Sequence, residues 1–164
     1  TLSLAAMLIY IWIRFEWQFS LGAIIALIHD VIITVGIFSF LSYEVNLSIV
    51  AAVLTIVGYS MNDTVVIFDR IRENLKKYSK ISISDISNTS TNQTLSRTLI
   101  TSTTTLLALF SIYIFGGAIL KGFSFAMIIG VIVGTYSSIF VATPILNYTN
   151  VNQKTVLKDN TENG

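Results

Sequence analysis

The chain has 164 residues, of which 53% are hydrophobic and 12% charged, and ten Lys and Arg against nine Asp and Glu leave a net charge of +1. That charged share is about half of what a soluble domain carries, so the composition argues against a soluble enzyme and for a protein housed in a bilayer. Cysteine is absent and histidine occurs once, which excludes disulfides, thiol nucleophiles and a Cys/His zinc centre; no metal or other cofactor is expected, and no nucleic-acid partner.

A transmembrane helix needs about 20 consecutive, mostly apolar residues. In chain order, the pattern predicts an all-α membrane protein, a bundle of five transmembrane helices within a domain spanning 1–148. The spans fall at about 2–15, 21–41, 47–68, 95–115 and 123–146, the first of them short and cut at its start. Tight links join them, except for a connection over 69–92. That connection begins as a continuation of the third span, with Glu73–Lys77 and Asp69–Arg72 at helical pairing distance. Phe68, Ile71, Leu75 and Tyr78 form its apolar side, and the Ser-, Thr- and Asn-rich stretch 79–91 reads as loop. The tail 149–164 is polar and expected to be disordered.

Orientation follows from the positive residues. Arg70, Arg72, Lys76, Lys77 and Lys80 lie in the third connection, which holds five of the ten Lys and Arg; Arg14 lies in the first, and Lys154 and Lys158 in the tail. The second connection has none and the fourth only Lys121. The positive-inside rule puts the first and third connections and the C-terminus in the cytoplasm, and five spans then put the N-terminus outside. Thr1 follows no initiator Met and opens no signal peptide, so an upstream span and an external domain are expected.

Asp63 stands inside the third span, six residues before the charged end at Asp69. An ionisable group there costs about 2.5–3.5 kcal/mol on insertion scales, and such residues mark ion paths, proton relays or paired charges. Thr55, Gly58, Tyr59, Asn62 and Asp63 share one side of that span by their spacing; Thr94, Arg97, Thr98, Thr101 and Thr105 do the same on the fourth. The two helices run in opposite directions, and Asp63 and Arg97 lie at comparable depths, so the carboxylate and guanidinium are expected within reach of each other. A carboxyl whose neighbouring guanidinium approaches and withdraws takes a proton in one state and releases it in the other. A static ion pair pinning two helices is the structural alternative. His29 and Asp30 sit in the second span, about 100° apart around the helix, and read either as relay members or as a fixed hydrogen-bonded node. Gly130, Gly134 and Ser138, with Ala126 before them, form a small-residue ridge for close helix packing. No phosphate loop, HExxH or GxSxG motif occurs, so no enzymatic activity is expected.

The string Gly58-Tyr-Ser-Met-Asn-Asp-Thr-Val-Val-Ile-Phe-Asp-Arg-Ile-Arg-Glu-Asn74 resembles the signature of the SecF branch of the SecD–SecF protein-export family. Asn92-Gln-Thr-Leu-Ser-Arg-Thr98, Ala26-Leu-Ile-His-Asp-Val31, Phe115-Gly-Gly117 and Gly130-Val-Ile-Val-Gly-Thr-Tyr-Ser-Ser138 fit the same pattern, and the likeness runs from about 14 to 142. It implies the second to sixth spans of a six-span half in the resistance–nodulation–division superfamily, preceded by a first span and a periplasmic domain. It also implies a subunit of the bacterial cytoplasmic (inner) membrane that uses the proton motive force to assist late steps of protein translocation. Its partners would be SecD, the SecYEG channel, the translocating preprotein and the lipid bilayer. The family's acidic and basic membrane residues map onto Asp63 and Arg97, and its other key Asp lies in SecD. A proton-coupled exporter half for small molecules or lipids and a non-transporting membrane scaffold are the competing functions.

The orientation is tested by thiol labelling. With Ser82→Cys in a chain that has no other cysteine, an impermeant reagent applied to intact cells should leave the site unlabelled, and efficient labelling would reverse the orientation.

Overall fold

The computed structural model describes Ile9 and residues 16–42, 46–78, 81–149 and 151. The described residues are helical, without strands: α1 (Trp17–Phe40), α2 (Leu47–Lys77), α3 (Ile83–Phe115), α4 (Gly117–Ser137), a π-helical turn (Ser138–Ala142) and α5 (Thr143–Tyr148). Among the described residues, four stretches are long and apolar enough to cross a membrane: α1, α2, α3, and α4 continued through the π turn and α5. The expected first span at 2–15 and most of the tail 149–164 lie outside the described residues.

The helix ends follow local chemistry. Asn46 starts α2 with a side-chain oxygen that accepts from Ile49 N at 3.0 Å, satisfying one of the free amides of the first turn. α2 then runs without a break through the Asp69–Lys77 charges, as the i,i+4 pairing predicts; Lys77 bonds Glu73 at 2.8 Å. The expected loop at 79–91 is instead helix from Ile83 onward. Ser82 is the reason. Its hydroxyl oxygen accepts from Asp85 N at 3.1 Å, and the Asp85 carboxylate returns to the Ser82 hydroxyl at 2.7 Å, a cap that a count of Ser, Thr and Asn hides. Burial of Ile86, Ser87 and Ser90 against the bundle then holds the segment.

Only Gly116 separates α3 from α4, and Gly117 takes φ +74°, a left-handed conformation that glycine adopts without steric cost. At the other end of α4, Pro144 brings no N–H and a ring that crowds the carbonyl four residues back. The π turn before it absorbs that conflict, with the Thr143 hydroxyl donating to Ser138 O at 2.9 Å. The last membrane helix therefore passes its proline and ends at Tyr148.

α2 and α4 form the centre of the bundle, with α1 and α3 each packed on both. The glycines of α4 permit the central contact: a Cβ at Gly130 would overlap the Ile56 side chain, and one at Gly134 would lie 3.1 Å from the Ser60 Cβ. Two apolar cores result. One gathers Phe38, Ile49, Ala52, Ile56, Leu109, Met127 and Val131; the other gathers Phe19, Phe68, Ile71, Leu75, Ile86 and Leu146 at the end where the α2 charges lie. Buried polar groups accompany the cores on all four membrane-length stretches: Asp30 and Thr34, Ser60, Asp63 and Thr64, Thr98 and Ser102, Ser137 and Ser138.

The tightness of the α2–α4 contact is measurable. Gly130→Ala should lower stability by about 1–3 kcal/mol through overpacking, read as a drop in unfolding temperature in detergent. Adding Ile56→Ala should restore much of it; an unchanged unfolding temperature for Gly130→Ala alone would contradict the packing described.

Candidate functional site

The polar layer contains two buried carboxyls in opposite circumstances. Asp30 of α1 has no exposed surface and is fully engaged. Its Oδ2 accepts from the Ser60 hydroxyl of α2 at 2.5 Å and from the Ser137 hydroxyl of α4 at 2.8 Å. Its Oδ1 lies 3.0 Å from His29 Nδ1. One side chain thus joins three helices. Asp63, one turn beyond Ser60, is 4% exposed, and its Oδ2 is buried without a hydrogen-bond partner. Leaving a buried polar atom unsatisfied costs about 1–3 kcal/mol, more when it is charged, so such an atom asks for a reason.

The expected ion pair is not formed. Arg97 is exposed, and no salt bridge joins it to Asp63 among the described residues. The cause is register. Thr94 and Thr98 take the buried positions of α3, and Arg97, about 100° around from Thr98, projects from the bundle. The α2 stripe divides in the same way: Asp63 faces inward, with the buried Tyr59 hydroxyl oxygen also lacking a partner, while Thr55 and Asn62 are exposed. Thr98 and Thr34 likewise bury hydroxyls without partners. Other hydroxyls on α3, among them those of Thr94, Thr101, Thr104, Thr105 and Ser111, bond back to their own helix; Ser102 instead meets Thr135 of α4 at 2.7 Å.

His29 and Asp30 therefore divide. Asp30 faces the centre, whereas the His29 side chain keeps 29% of its surface exposed and its ring centre lies 6.3 Å from that of Tyr136. Ser138 bonds back to Gly134 O at 2.9 Å. Ser60 and Ser137 were not singled out from sequence as members of the site. Ser60 stands three residues before Asp63 and Ser137 beside the small-residue ridge, and small hydroxyls at such spacing are common helix-packing residues. Only the meeting of three helices distinguishes them. Among the described residues, no cluster of three or more His, Asp or Glu side chains suits a metal ion.

A second polar group lies at the charged end of α2. Asn74 Nδ2 donates to Ser90 Oγ at 2.8 Å and to Gln93 Oε1 at 3.0 Å, and Arg70 Nε donates to the same Gln93 oxygen at 2.6 Å. Arg72 pairs with Glu16 at 2.9 Å, with both side chains about nine-tenths buried. These contacts fix the start of α1 and the first turns of α3 to the end of α2.

The profile of the family described as "Protein export membrane protein SecD/SecF, C-terminal" matches residues 1–152. The chain belongs to that family. Proteins named "Protein translocase subunit SecF" are similar to it: 56% identical over 144 residues in Koribacter versatilis (88% of this chain, 36% of the relative), 52% over 155 in Cereibacter sphaeroides (94% and 48%) and 58% over 144 in Rickettsia bellii (88% and 48%). The chain thus spans less than half the length of these SecF relatives. Two solved structures resemble it with a TM-score of 0.85. A SecDF in a super-membrane-facing form is 41% identical, covering 97% of this chain and 21% of that one. The Thermus thermophilus SecDF, titled a translocon-associated membrane protein, is 44% identical, covering 90% and 21%.

Proposed function

We propose that this chain is the membrane part of a SecF-type subunit that draws on the proton motive force to assist protein translocation across the bacterial cytoplasmic membrane, with Asp63 as the proton carrier and Arg97 as the charge that tunes it. The observation that carries the reading is the Asp63 carboxyl itself: buried at 4% exposure in an apolar helix, with Oδ2 unbonded. A carboxyl locked in a fixed pair would be saturated with donors, as Asp30 is. Asp63 instead keeps an acceptor free, which suits a group that gains and loses a proton as its surroundings change.

Arg97 supplies the change. Its guanidinium is exposed and makes no salt bridge with Asp63, so a displacement of α3 that brings the two closer would strengthen its pull on the carboxylate and one that parts them would weaken it. The static-pin alternative requires an ion pair that the two side chains do not make. The membrane potential contributes about 2.3 kcal/mol per charge per 100 mV, enough to bias such a cycle.

The exposed polar residues support a partner. Thr55 and Asn62 on α2 and Arg97 and Thr104 on α3 would face hydrocarbon if nothing covered them, at a cost of about 2.5–3.5 kcal/mol for the arginine alone. A membrane helix presenting acceptors or a carboxylate would cover them, and in this reading a SecD-type subunit does so. The SecYEG channel and the translocating preprotein complete the assembly. The basic residues after Asp69 support a cytoplasmic side for that end of the bundle, as the positive-inside rule expects.

Asp63→Asn keeps size and hydrogen bonding but carries no proton in this range. In the full complex it should reduce proton flux and export to background at normal protein level; export near wild type would remove the reading. Arg97→Lys should retain part of the flux, since the charge stays and only the planar fork is lost. Arg97→Met should stop it while leaving the unfolding temperature nearly unchanged. A buried static pair would predict a loss of about 3–5 kcal/mol of stability for the same change.

A further inference from the structure

We propose that Asp30 is a positioning residue for the Asp63 carboxyl, acting through Ser60 and Ser137; the inference rests on the proton-carrier reading of Asp63.

The geometry separates holding from carrying. Oδ2 of Asp30 accepts both serine hydroxyls, so this oxygen is engaged from α2 and α4 at once. The side-chain contact of Asp30 with a titratable neighbour is the one between its Oδ1 and His29 Nδ1, at 3.0 Å. That contact lies within α1, on the side where His29 reaches the surface beside Tyr136. What Asp30 presents to α2 is therefore acceptor strength, and the recipient is Ser60.

Ser60 is gripped from two directions. The Asp30 carboxylate holds its hydroxyl, and the Gly134 backbone of α4 comes so close that a Cβ built there would lie 3.4 Å from the Ser60 Cα. Asp63 follows three residues later, about 4.5 Å along the axis. The intervening turn is tied by the Thr64 hydroxyl, which donates to Ser60 O at 3.2 Å. Since Oδ2 of Asp63 has no partner, the placement of its carboxyl depends on the turn that bears it. That turn is fixed at Ser60, and Ser60 is fixed by Asp30. Ser137 extends the same hold to α4 at the residue before the π turn, so α1, α2 and α4 meet at one oxygen atom.

The test uses the full complex with its partner subunit, reconstituted in vesicles, and reads proton flux per inserted complex under an imposed pH gradient, with Asp63→Asn as reference. Asp30→Ala should cut flux about tenfold or more, the scale of loss when a reacting group shifts by a fraction of an ångström to one ångström. Asp30→Asn should recover much of it, because the amide keeps an acceptor for one serine and offers a donor to the other. Ser60→Ala should lower flux on its own yet add little in the Asp30→Ala background, as expected for residues acting through one contact. If Asp30→Ala fails to insert, Ser60→Ala and Ser137→Ala carry the comparison, and wild-type flux in both overturns the proposal. Asp30→Asn as inactive as Asp63→Asn overturns it by making Asp30 itself a proton carrier. Asp30→Ala with reduced abundance but wild-type flux per complex overturns it by leaving Asp30 a purely structural role. Full flux in Asp63→Asn is a different failure: it removes the carrier reading, and this inference with it.

Discussion

A polar atom placed between two apolar cores has to find its partner inside the bundle, because hydrocarbon offers none. That constraint shapes this protein. Asp30 meets it by drawing a hydroxyl from α2 and another from α4, and the close approach of Gly134 to Ser60 is what lets the three helices come near enough. Asp63 lies one turn away and does not meet it in full. The same layer thus holds one carboxyl bonded from three sides and one with an acceptor left free.

The charged end of the bundle obeys a different rule. There, long side chains bridge helices above the apolar core: Asn74 reaches Ser90 and Gln93, and Arg72 reaches Glu16. The bridges act beside Ile71, Leu75 and Ile86, so packing and hydrogen bonding support the same hairpin of α2 and α3. This end has an internal logic of its own, and it extends the two helices well past the length a bilayer requires; α2 alone, at 31 residues, runs about 46 Å against a hydrocarbon core of about 30 Å.

Hydropathy made the membrane helices legible, and α1, α2 and the outer half of α3 lie where apolar runs put them. Composition misled at 79–91, where Ser, Thr and Asn suggested a loop; one reciprocal cap at Ser82 and Asp85 outweighs a dozen weak preferences. Spacing put Asp63 on the inner side of α2, where it is buried, but it could not fix the rotation of α3 to better than the 100° that separates neighbouring residues, and that is the difference between Arg97 facing Asp63 and Thr98 taking the inner place. The Asp30 contacts were beyond the sequence for another reason. Ser60 and Ser137 lie 77 residues apart, and nothing local marks which serine will reach across helices: Ser138 bonds back to Gly134 O at 2.9 Å, whereas Ser137, 3.3 Å from that same oxygen, lies closer to Asp30, at 2.8 Å.

The near-absence of a link between α3 and α4 makes that pair a lever. Its pivot is Gly116–Gly117, where a single residue and a left-handed glycine join the two helices. Arg97 stands 19 residues from Gly116, about 28 Å along the axis, so a tilt of about 5° at the pivot sweeps the guanidinium level through roughly 2.5 Å. Ser90 and Gln93 lie farther still from the pivot and travel farther for the same tilt. Their bonds to Asn74 therefore act as a catch at the far end of the arm, with the Ser102–Thr135 bond holding it nearer the pivot.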